Sequence, residues 1–493
     1  MNPRVAILTL CAIAPATGQA QQYVLTLDAR VQRVSFRGIE RDSILATEVV
    51  PGENGGFETP DGYAVTCLPG APHCEFFRAG PVLLGVPFFV TADLNAWGFG
   101  IRGLSVHTTA RLGFDLGSEE AWPGTDPAVQ LLEGYAEYTT ERFTGRLGRV
   151  VNRGRLGYDG YDGIQLTYRV PRLGLAGQGY GGFGLARGAS LPVTSEVLNP
   201  LDEFQPQSRQ YLAGAALEWQ GSAGDARLDY QREVDRDTRN WVSERVAFSG
   251  NVRPLAGWSL AGGAEYDLAR KWWGSADLTL THAARRYGAA AGVRRYRPFF
   301  DLWTIWGVFS PIPYSAVNGS FWVMPLRGLT LRGRGERYWY PDAEAETPLV
   351  VEETDGWRWN LGASYDVTPA LNLDGGYHAA FGPGAASRGF EAGLGYRLIR
   401  TLTLSADGGR MERPLEFRVE QPILGWYGLA LEYRPDERLR VAAGATRFHE
   451  NRQRPDASSI DWSQTRLRLS ATWLFGSAAD RILPPGIRRE RGQ

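Results

Sequence analysis

The chain alternates polar and apolar residues in one short segment after another, and this alternation is what most limits its fold. In "GLSVHTTARLGFDLG", residues 103–117, Leu104, Val106 and Leu112 fall on one face, whereas His107 and Arg111 fall on the other. A repeat of two places successive side chains on opposite faces of an extended strand. The same alternation returns in residues 329–340, 357–367, 371–381, 390–398, 402–411 and 465–475. The sequence therefore predicts an all-β fold whose strands separate an apolar environment from a polar one.

The breaks between the alternating segments come in two lengths. Short breaks occur at residues 171–172, 221–224, 253–257, 324–328, 368–370, 399–401 and 434–437. Long polar connections occur at residues 38–80, 117–128, 149–161, 185–208, 340–356 and 449–462. Short turns at one end of the strands and long loops at the other are typical of transmembrane β-barrels. We therefore predict a transmembrane antiparallel up-and-down β-barrel of about 22 strands (roughly 18–24), with short periplasmic turns and long extracellular loops.

Tryptophans fall near the ends of the predicted strands. Those at short-turn ends are Trp219, Trp258 and Trp473, and those at long-loop ends are Trp241, Trp339 and Trp357. Transmembrane barrels carry such aromatic girdles at both membrane interfaces, whereas a soluble β-sandwich places large aromatics nearer its strand centres. The tryptophans thus favour a barrel over a sandwich.

The N-terminus predicts export and divides the chain. Residues 1–20 combine Arg4 with an apolar stretch and small residues near Ala20, a pattern typical of a cleaved signal peptide. We expect residues 21–476 to form the barrel and residues 477–493 to form a flexible periplasmic tail. The formal net charge of −1 argues against a nucleic-acid partner, because no basic excess is present to neutralise phosphates.

Two cysteines remain after the signal peptide. Cys67 and Cys74 enclose the segment "LPGAPH", whose proline and glycine residues permit a tight loop. An exported chain enters an oxidising compartment, so we expect these cysteines to form a disulfide. A metal site that also uses His73 is the weaker alternative, because two thiols and one imidazole do not make a zinc signature.

With these patterns in place, the mature chain resembles a Gram-negative outer-membrane β-barrel of porin type. Its last alternating segment, "TRLRLSATWLF", resembles the C-terminal assembly signal of that class, with Phe475 as the terminal aromatic residue. The segment "GRLGRVVNRGRLGYDGYDGIQLTY", residues 145–168, is similar to part of the alginate-export-type porins. The resemblance implies a location in the cell outer membrane, contact with outer-membrane lipids, and recognition of the C-terminal strand by the barrel-assembly machinery.

The polar face of the predicted strands would line the lumen. Arginine and carboxylate side chains are balanced on this face, and guanidinium groups bind carboxylates and phosphates through paired hydrogen bonds. The pore-lining candidates are Arg111, Arg142, Arg146, Arg149, Arg332, Arg334, Arg358, Arg397, Arg466, Arg468, Asp162, Glu336 and Asp374. In one interpretation these charges pair across strands and only hydrate the wall. In the other, the arginines form a track along which anionic solutes pass.

The most apolar passage, "FFDLWTIWGVFSPIP", residues 299–313, occupies a long-loop position. It is too short for a membrane-spanning helix, which needs about 20 apolar residues. One hypothesis is that it folds into the lumen or across its mouth as a constriction, through Phe299, Phe300, Leu302, Trp303, Trp306 and Phe309. The alternative is that the flanking strands extend and these aromatics thicken the outer girdle.

These patterns predict a porin-like channel for passive or substrate-selective passage of small polar or anionic solutes. We expect no enzymatic activity, no cofactor and no metal, because the sequence contains no GxSxG, HExxH or Walker A motif. One alternative is a barrel with a structural or adhesive role in its extracellular loops. A weaker alternative is an outer-membrane hydrolase using His107 with Ser105 and Asp115.

Overall fold

The fold is described from a computed structural model of the 493-residue chain. The structure describes residues 22–52, 56–117, 128–185, 208–236, 239, 241–297, 313–341, 354–382, 387–412, 423–451 and 462–477. The predicted signal peptide, residues 1–20, and nearly all of the predicted tail lie outside this part of the chain. No helix in the described part is long and apolar enough to span a membrane.

The described residues form strands joined by turns, with one short 3-10 turn at Pro171–Leu173. The strands are β1 (Gln22–Leu45), β2 (Val50–Pro51), β3 (Phe57–Glu58), β4 (Ala64–Thr66), β5 (His73–Gly85), β6 (Pro87–Trp97), β7 (Leu104–Asp115), β8 (Val129–Thr139), β9 (Phe143–Gly154), β10 (Gly157–Val170), β11 (Leu175–Leu185), β12 (Ser208–Gln220) and β13 (Gly224–Asp235). They continue as β14 (Trp241–Val252), β15 (Trp258–Asp267), β16 (Trp272–Ala283), β17 (Tyr287–Tyr296), β18 (Tyr314–Leu326), β19 (Leu329–Trp339), β20 (Asp355–Thr368), β21 (Leu371–Phe381), β22 (Ser387–Ile399), β23 (Leu402–Glu412), β24 (Ile423–Tyr433), β25 (Leu439–Asn451) and β26 (Trp462–Phe475).

Strand β1 and strands β6 to β26 form a closed antiparallel barrel of 22 strands. Each strand pairs with the next along the chain, and β1 closes the ring by pairing with both β6 and β26. The closing register runs from Leu25 opposite Phe475 to Arg33 opposite Leu467. Closure leaves no free sheet edge in the wall. The predicted up-and-down barrel, its strand number and the predicted short turns are confirmed.

The two faces of the wall differ in chemistry as the alternation predicts. On β24, Tyr427, Leu429 and Leu431 are exposed on one face, whereas Glu432 lies on the other. The apolar face is the outer one, because polar residues of distant strands meet on the opposite face. Exposed tryptophans lie near both ends of the wall, including Trp473 at the short-turn end and Trp357 at the long-loop end.

Strand β1 is about twice as long as the wall requires, so the long polar connection predicted at residues 38–80 is itself built largely from strands. Its first part pairs with β6, and its second part, from Val34 to Leu45, pairs with β5. At roughly 3.4 Å per residue, this second part is about 40 Å long and continues from the long-loop end of the wall. Its tip carries β2, β3 and β4 and the predicted disulfide between Cys67 and Cys74, which is confirmed.

The tip of the extension has a small core of its own. Tyr63 and Thr59 are buried there, and the Tyr63 ring lies 5.6 Å from the Phe76 ring. The backbone N–H of Tyr63 donates to the Thr59 hydroxyl at 2.9 Å. Along the extension, the hydrogen bond that Arg41 donates to the Glu75 carboxylate raises the pKa of the arginine above its ordinary value.

Strands β9 and β10 also continue past the ends of their neighbours, as a hairpin. Strand β8 stops pairing with β9 at Arg149, and β11 stops pairing with β10 at Tyr161, yet β9 and β10 pair with each other as far as Gly154 opposite Gly157. Residues 150–160 therefore form a free hairpin end, here called the β9–β10 tip. The long polar connection predicted at residues 149–161 is thus wrong, because all but two of these residues pair as strands.

Candidate functional site

The β9–β10 tip lies inside the barrel and contacts the inner face of strands β15 and β16. Arg155, in its two-residue turn, donates from Nη2 to the backbone oxygen of Gly263 at 2.9 Å and also pairs with the Asp277 carboxylate. Gly263 belongs to β15 and Asp277 to β16. A residue between β9 and β10 can reach those strands only across the lumen of a closed barrel. The contact therefore identifies the polar face as the inner one.

Gly263 leaves the space that Arg155 occupies. A side-chain Cβ at this position would lie 2.8 Å from Nη1 of Arg155 and 2.2 Å from the backbone oxygen of Phe248. Contacts this short do not occur in folded proteins, so the wall needs glycine here. On the other side of the tip turn, a Cβ at Gly154 would lie 3.7 Å from Asp229 Oδ1, an ordinary contact distance. The tip thus lies directly against the inner wall.

An apolar cluster holds the base of the hairpin. Val150, Tyr161, Tyr180 and Leu212 are buried together, and Tyr135 packs beside them. The rings of Tyr161 and Tyr180 are stacked, with centroids 5.6 Å apart. Burial of side chains of this size contributes roughly 1.5–3 kcal/mol each. The hairpin is therefore fixed at its base by packing and at its turn by Arg155.

The hairpin lies over polar side chains that would be exposed to water in an empty lumen. The inward residues on the long-loop half of β13 to β15 are nearly inaccessible to solvent, namely Asp229, Gln231, Glu233, Ser243, Arg245, Glu265 and Asp267. Buried polar groups need partners. Several of these side chains bond to neighbouring side chains, whereas one oxygen each of Asp229, Gln231 and Asp267 accepts no hydrogen bond within the described structure.

Two groups of charged and polar side chains make contacts on this side of the lumen. Arg227 donates to Asp229 at 2.7 Å and to Gln178 at 3.3 Å, and it also pairs with Glu218. Nearby, Arg245 donates to Glu265 at 3.4 Å. A buried charge without a partner would cost several kcal/mol, so these contacts make burial under the hairpin tolerable.

A second inward cluster surrounds Glu336 on β19. Its carboxylate accepts from Arg294 Nη2 at 2.7 Å and lies 3.1 Å from Nε of Arg358. The Arg358 guanidinium also lies 4.4 Å from the centre of the Tyr338 ring, a cation–π distance. Two arginines therefore share one buried carboxylate, and the tyrosine hydroxyl of Tyr338 donates to the backbone oxygen of Phe381 at 3.2 Å.

The inner wall from β19 to β26 differs, because several of its charged side chains are exposed within the described structure. Asp374, Glu391 and Asp407 lie near mid-wall on β21, β22 and β23. Glycines lie between these carboxylates: a Cβ at Gly393 would lie 2.8 Å from Asp374 Oδ1. Without side chains at such positions, this part of the wall recedes and the carboxylates face the lumen.

Pairs of arginines flank this acidic patch. On one side β19 carries Arg332 and Arg334, and on the other side β26 carries Arg466 and Arg468. All four alternate with outward leucines such as Leu331 and Leu467, so they point inward. The open side of the lumen thus presents carboxylates in the middle and guanidinium groups at both flanks.

The structure places most of the predicted pore-lining residues on the inner face. These are Arg111, Arg146, Arg332, Arg334, Arg358, Arg397, Arg466, Arg468, Glu336 and Asp374. Arg142 lies instead in the short turn between β8 and β9. Arg146 is tied to the wall, since its Nε donates to Glu137 at 2.6 Å.

Two of the predicted pore-lining residues face outward. Arg149 and Asp162 pair opposite each other on the face that carries the exposed side chains of Leu147 and Ile164. They make paired hydrogen bonds of 2.7 and 2.8 Å to each other. Their assignment to the lumen was wrong. Successive residues of a strand point to opposite faces, and Arg149 lies three residues from the inward Arg146, so Arg149 and its partner Asp162 point outward.

The predicted constriction at residues 299–313 lies outside the described residues, except for Pro313. The β9–β10 tip, which narrows the lumen, was not predicted from the sequence. A signal was present: Val150, Leu156 and Tyr161 are apolar residues in a segment interpreted as a polar loop. Gly154 and Gly157 bracket its two-residue turn, which is a hairpin signature.

His107 was the centre of the hydrolase alternative. Its Nδ1 lies 2.9 Å from Asn95 Oδ1, and its Nε2 lies 3.2 Å from the Thr109 hydroxyl. Asp115 instead accepts the backbone N–H groups of Val86 and Gly117. Within the described residues, no cluster of three or more potential metal ligands is present.

Comparison with known proteins gives likeness only at the level of structure. No protein family model matches the chain, and no curated protein matches it. Pseudomonas aeruginosa OccK8 (OprE) is 10% identical, with 92% of this chain and 98% of that chain covered and a TM-score of 0.36. A BenF-like porin from Pseudomonas fluorescens is 11% identical, with 92% and 98% covered and a TM-score of 0.39. A mutant of the ferric enterobactin receptor PfeA from Pseudomonas aeruginosa is 10% identical, with 92% and 80% covered and a TM-score of 0.45. At this level of similarity, function has to be inferred from the residues of the barrel.

Proposed function

We propose that the chain is an outer-membrane channel that lets small polar solutes, anions among them, pass through its lumen. The observation that carries the proposal is a closed 22-stranded barrel with an apolar outer face, a charged inner face and the β9–β10 tip inside. A barrel of this strand number is about 40 Å across. The tip narrows such an opening on the β13 to β16 side, so the path for solutes runs along β19 to β26.

The outer face supports a membrane location. Leucine, valine and aromatic side chains are exposed along the strands, and tryptophans lie near both ends. Exposed apolar surface of this extent is unfavourable in water and favourable in a lipid bilayer. By analogy with barrels of this kind, we place the short turns in the periplasm and the long loops outside the cell.

The charges along the path suggest weak rather than strict selection. Asp374, Glu391 and Asp407 would attract cations, whereas Arg332 and Arg334 would contact anions through paired hydrogen bonds. A ring of one sign is what a strongly ion-selective filter requires. Side-by-side patches of both signs instead favour small polar solutes that carry, or tolerate, both charges.

Planar-bilayer recording of the purified, refolded chain tests the proposal. We expect steady, large conductance steps and a reversal potential in a salt gradient of a few millivolts only. A variant in which residues 152–159 are replaced by a short Gly-Ser link should conduct roughly twofold better, because the tip no longer narrows the lumen. A correctly folded barrel that passes no current would contradict the channel.

One observation favours a second role at the cell surface. The β1–β5 extension reaches beyond the wall, is closed by a disulfide, and exposes Phe57, Leu68 and Phe77. Such a stiff, partly apolar projection is suited to contact with another surface. Deleting residues 46–72 would then abolish adhesion of cells that display the barrel while leaving conductance unchanged; unchanged adhesion would contradict this role.

The C-terminal strand supports the expected assembly partner. Strand β26 closes the barrel against β1 and ends with Trp473 and Phe475, whose rings lie 5.3 Å apart. We propose that the barrel-assembly machinery recognises this strand. Replacing Phe475 with alanine should lower the amount of barrel inserted in cells more than its thermal stability after refolding.

A further inference from the structure

Near the long-loop end of the barrel, some arginines point outward and therefore do not line the lumen. Arg410 on β23 pairs opposite Phe390 and Gly425, and Arg447 on β25 pairs opposite Tyr427. Phe390 and Tyr427 are exposed on the outer face, at 53% and 69%. The two arginines therefore lie on the outside of the wall, next to its apolar band.

Among the residues that the structure describes, positive charge exceeds negative charge at this place. Arg388 donates from Nε to Glu412 at 2.6 Å, and Arg410 lies 3.3 Å from the other oxygen of the same carboxylate. Arg447 donates to the hydroxyls of Ser463 and Thr465, at 2.5 and 3.1 Å. Two guanidinium groups thus share one carboxylate, and the hydroxyl partners of Arg447 leave its charge uncompensated by those contacts.

A notch lies on β24 beside these arginines. Gly425 sits between Arg410 on one neighbouring strand and His449 on the other, and Arg447 lies two residues from His449 on the same strand. A Cβ at Gly425 would meet only backbone oxygens of His449 and Gly409, at 3.9 and 4.0 Å. Because strands are about 4.8 Å apart and residues rise about 3.4 Å along a strand, the backbones of Arg410 and Arg447 are separated diagonally by roughly 12 Å. Long guanidinium side chains can approach a phosphate group in the notch from both of these positions.

An outward arginine elsewhere at the same end is arranged differently. Arg337 pairs one to one with Asp355 at 3.2 Å, and its guanidinium lies 5.2 Å from the centre of the Trp357 ring. Its charge is therefore matched, and a bulky ring occupies the adjoining surface. The notch at Gly425 combines excess positive charge with open space, which the Arg337 site does not.

We propose that the notch formed by Arg388, Arg410, Arg447 and Gly425 binds the phosphate of a membrane glycolipid headgroup. The inference rests on the proposed membrane location. Guanidinium groups bind phosphate through charge-assisted, paired hydrogen bonds, and headgroups lie at the edge of the apolar band of a membrane barrel. The exposed rings of Phe390 and Tyr427 would contact the acyl chains below the same headgroup, which a free phosphate would not need.

Native mass spectrometry of the purified full-length barrel in detergent tests the proposal. The probes are lipid A carrying both phosphates, lipid A with both phosphates removed, and inorganic phosphate as a competitor. We expect wild type to retain the phosphorylated lipid at least about tenfold better than the dephosphorylated one, since hydrogen bonds to charged groups are the stronger kind. A double variant, Arg410→Gln with Arg447→Gln, should lose this preference, whereas the matched control Arg337→Gln should keep it.

Several results would overturn the proposal. Equal retention of the two lipids by wild type, or an unchanged preference in the double variant, would show that the notch does not bind the phosphate. Displacement of the lipid by millimolar inorganic phosphate would indicate a site for soluble phosphate. Heat-modifiable migration on gels verifies that each variant is folded. Conductance of wild type is recorded separately, so failure of the channel proposal is distinguishable from failure of lipid binding.

Discussion

Arg155 pairs with Asp277 across the lumen, linking the turn between β9 and β10 to β16. The same guanidinium donates to the backbone oxygen of Gly263 on β15 at 2.9 Å. A hairpin that is continuous with the wall is thereby fixed inside the barrel at both its base and its turn. This relationship sets the shape of the passage, because among the described residues one side of the lumen is covered and the other is open.

Breaking this contact should loosen the tip. In Arg155→Ala, the guanidinium no longer holds Asp277, so we expect more frequent conductance sub-states in single-channel recordings with little change in barrel stability. Arg172→Ala, in the exposed 3-10 turn at the short-turn end, is the matched control. Asp277→Ala should resemble Arg155→Ala, and the double variant should add little beyond either. Steady wild-type traces from both single variants would show that Arg155 does not fix the tip.

The charge patches on the open side should set ion preference in opposite directions. Replacing Arg332 and Arg334 with glutamine removes positive charge, so the reversal potential in a salt gradient should shift toward cation selectivity. Replacing Asp374 and Asp407 with asparagine should shift it the other way. The magnitude should be roughly 5–15 mV in each case and should shrink at high salt, because mobile ions screen lumen charges. Shifts of the same sign for both variants would contradict this arrangement of the path.

Glu336 should matter for stability more than an exposed carboxylate does. Glu336→Gln leaves Arg294 and Arg358 without their shared buried partner, so we expect a loss of roughly 3–5 kcal/mol in unfolding free energy. Glu244→Gln is the matched control: this exposed outer-face carboxylate accepts from the Tyr230 hydroxyl at 2.6 Å, and its loss should cost less than about 1 kcal/mol. Urea unfolding followed by tryptophan fluorescence measures both. Equal losses would indicate that burial of Glu336 carries no special cost.

The disulfide should stabilise the extension and leave the barrel alone. Changing Cys67 and Cys74 to serine releases a short loop, so local stability should fall by about 2–3 kcal/mol. Limited proteolysis should then cut within residues 46–72 much faster than in wild type, with the wall strands still protected. Wild-type treated with a reducing agent should behave like the variant. Cleavage at wild-type rates after reduction would contradict the assigned role of the bond.

The β9–β10 hairpin was not predicted from the sequence. Residues 149–161 contain arginines, asparagine and glycines, which is typical of a polar loop, so their strand pairing was not expected. Their few apolar residues do not indicate a buried face. These residues become buried only against side chains of other strands, which the local sequence does not show. Arg149 and Asp162 illustrate a related error, since a shift of one residue in register moves a side chain from the lumen to the outer face.

The sequence by itself determined the barrel: the alternation, the unequal breaks and the aromatic positions gave its strand number, its faces and its short turns, because these depend on local geometry and on burial of one face. The disulfide also followed from local spacing. Tertiary structure alone decided that the β9–β10 tip enters the lumen and that Arg155 reaches Asp277, residues separated by 122 positions in the chain. Such contacts depend on closure of the barrel. Closure brings together strands that are distant in the chain, and no local sequence pattern indicates which of their side chains will meet.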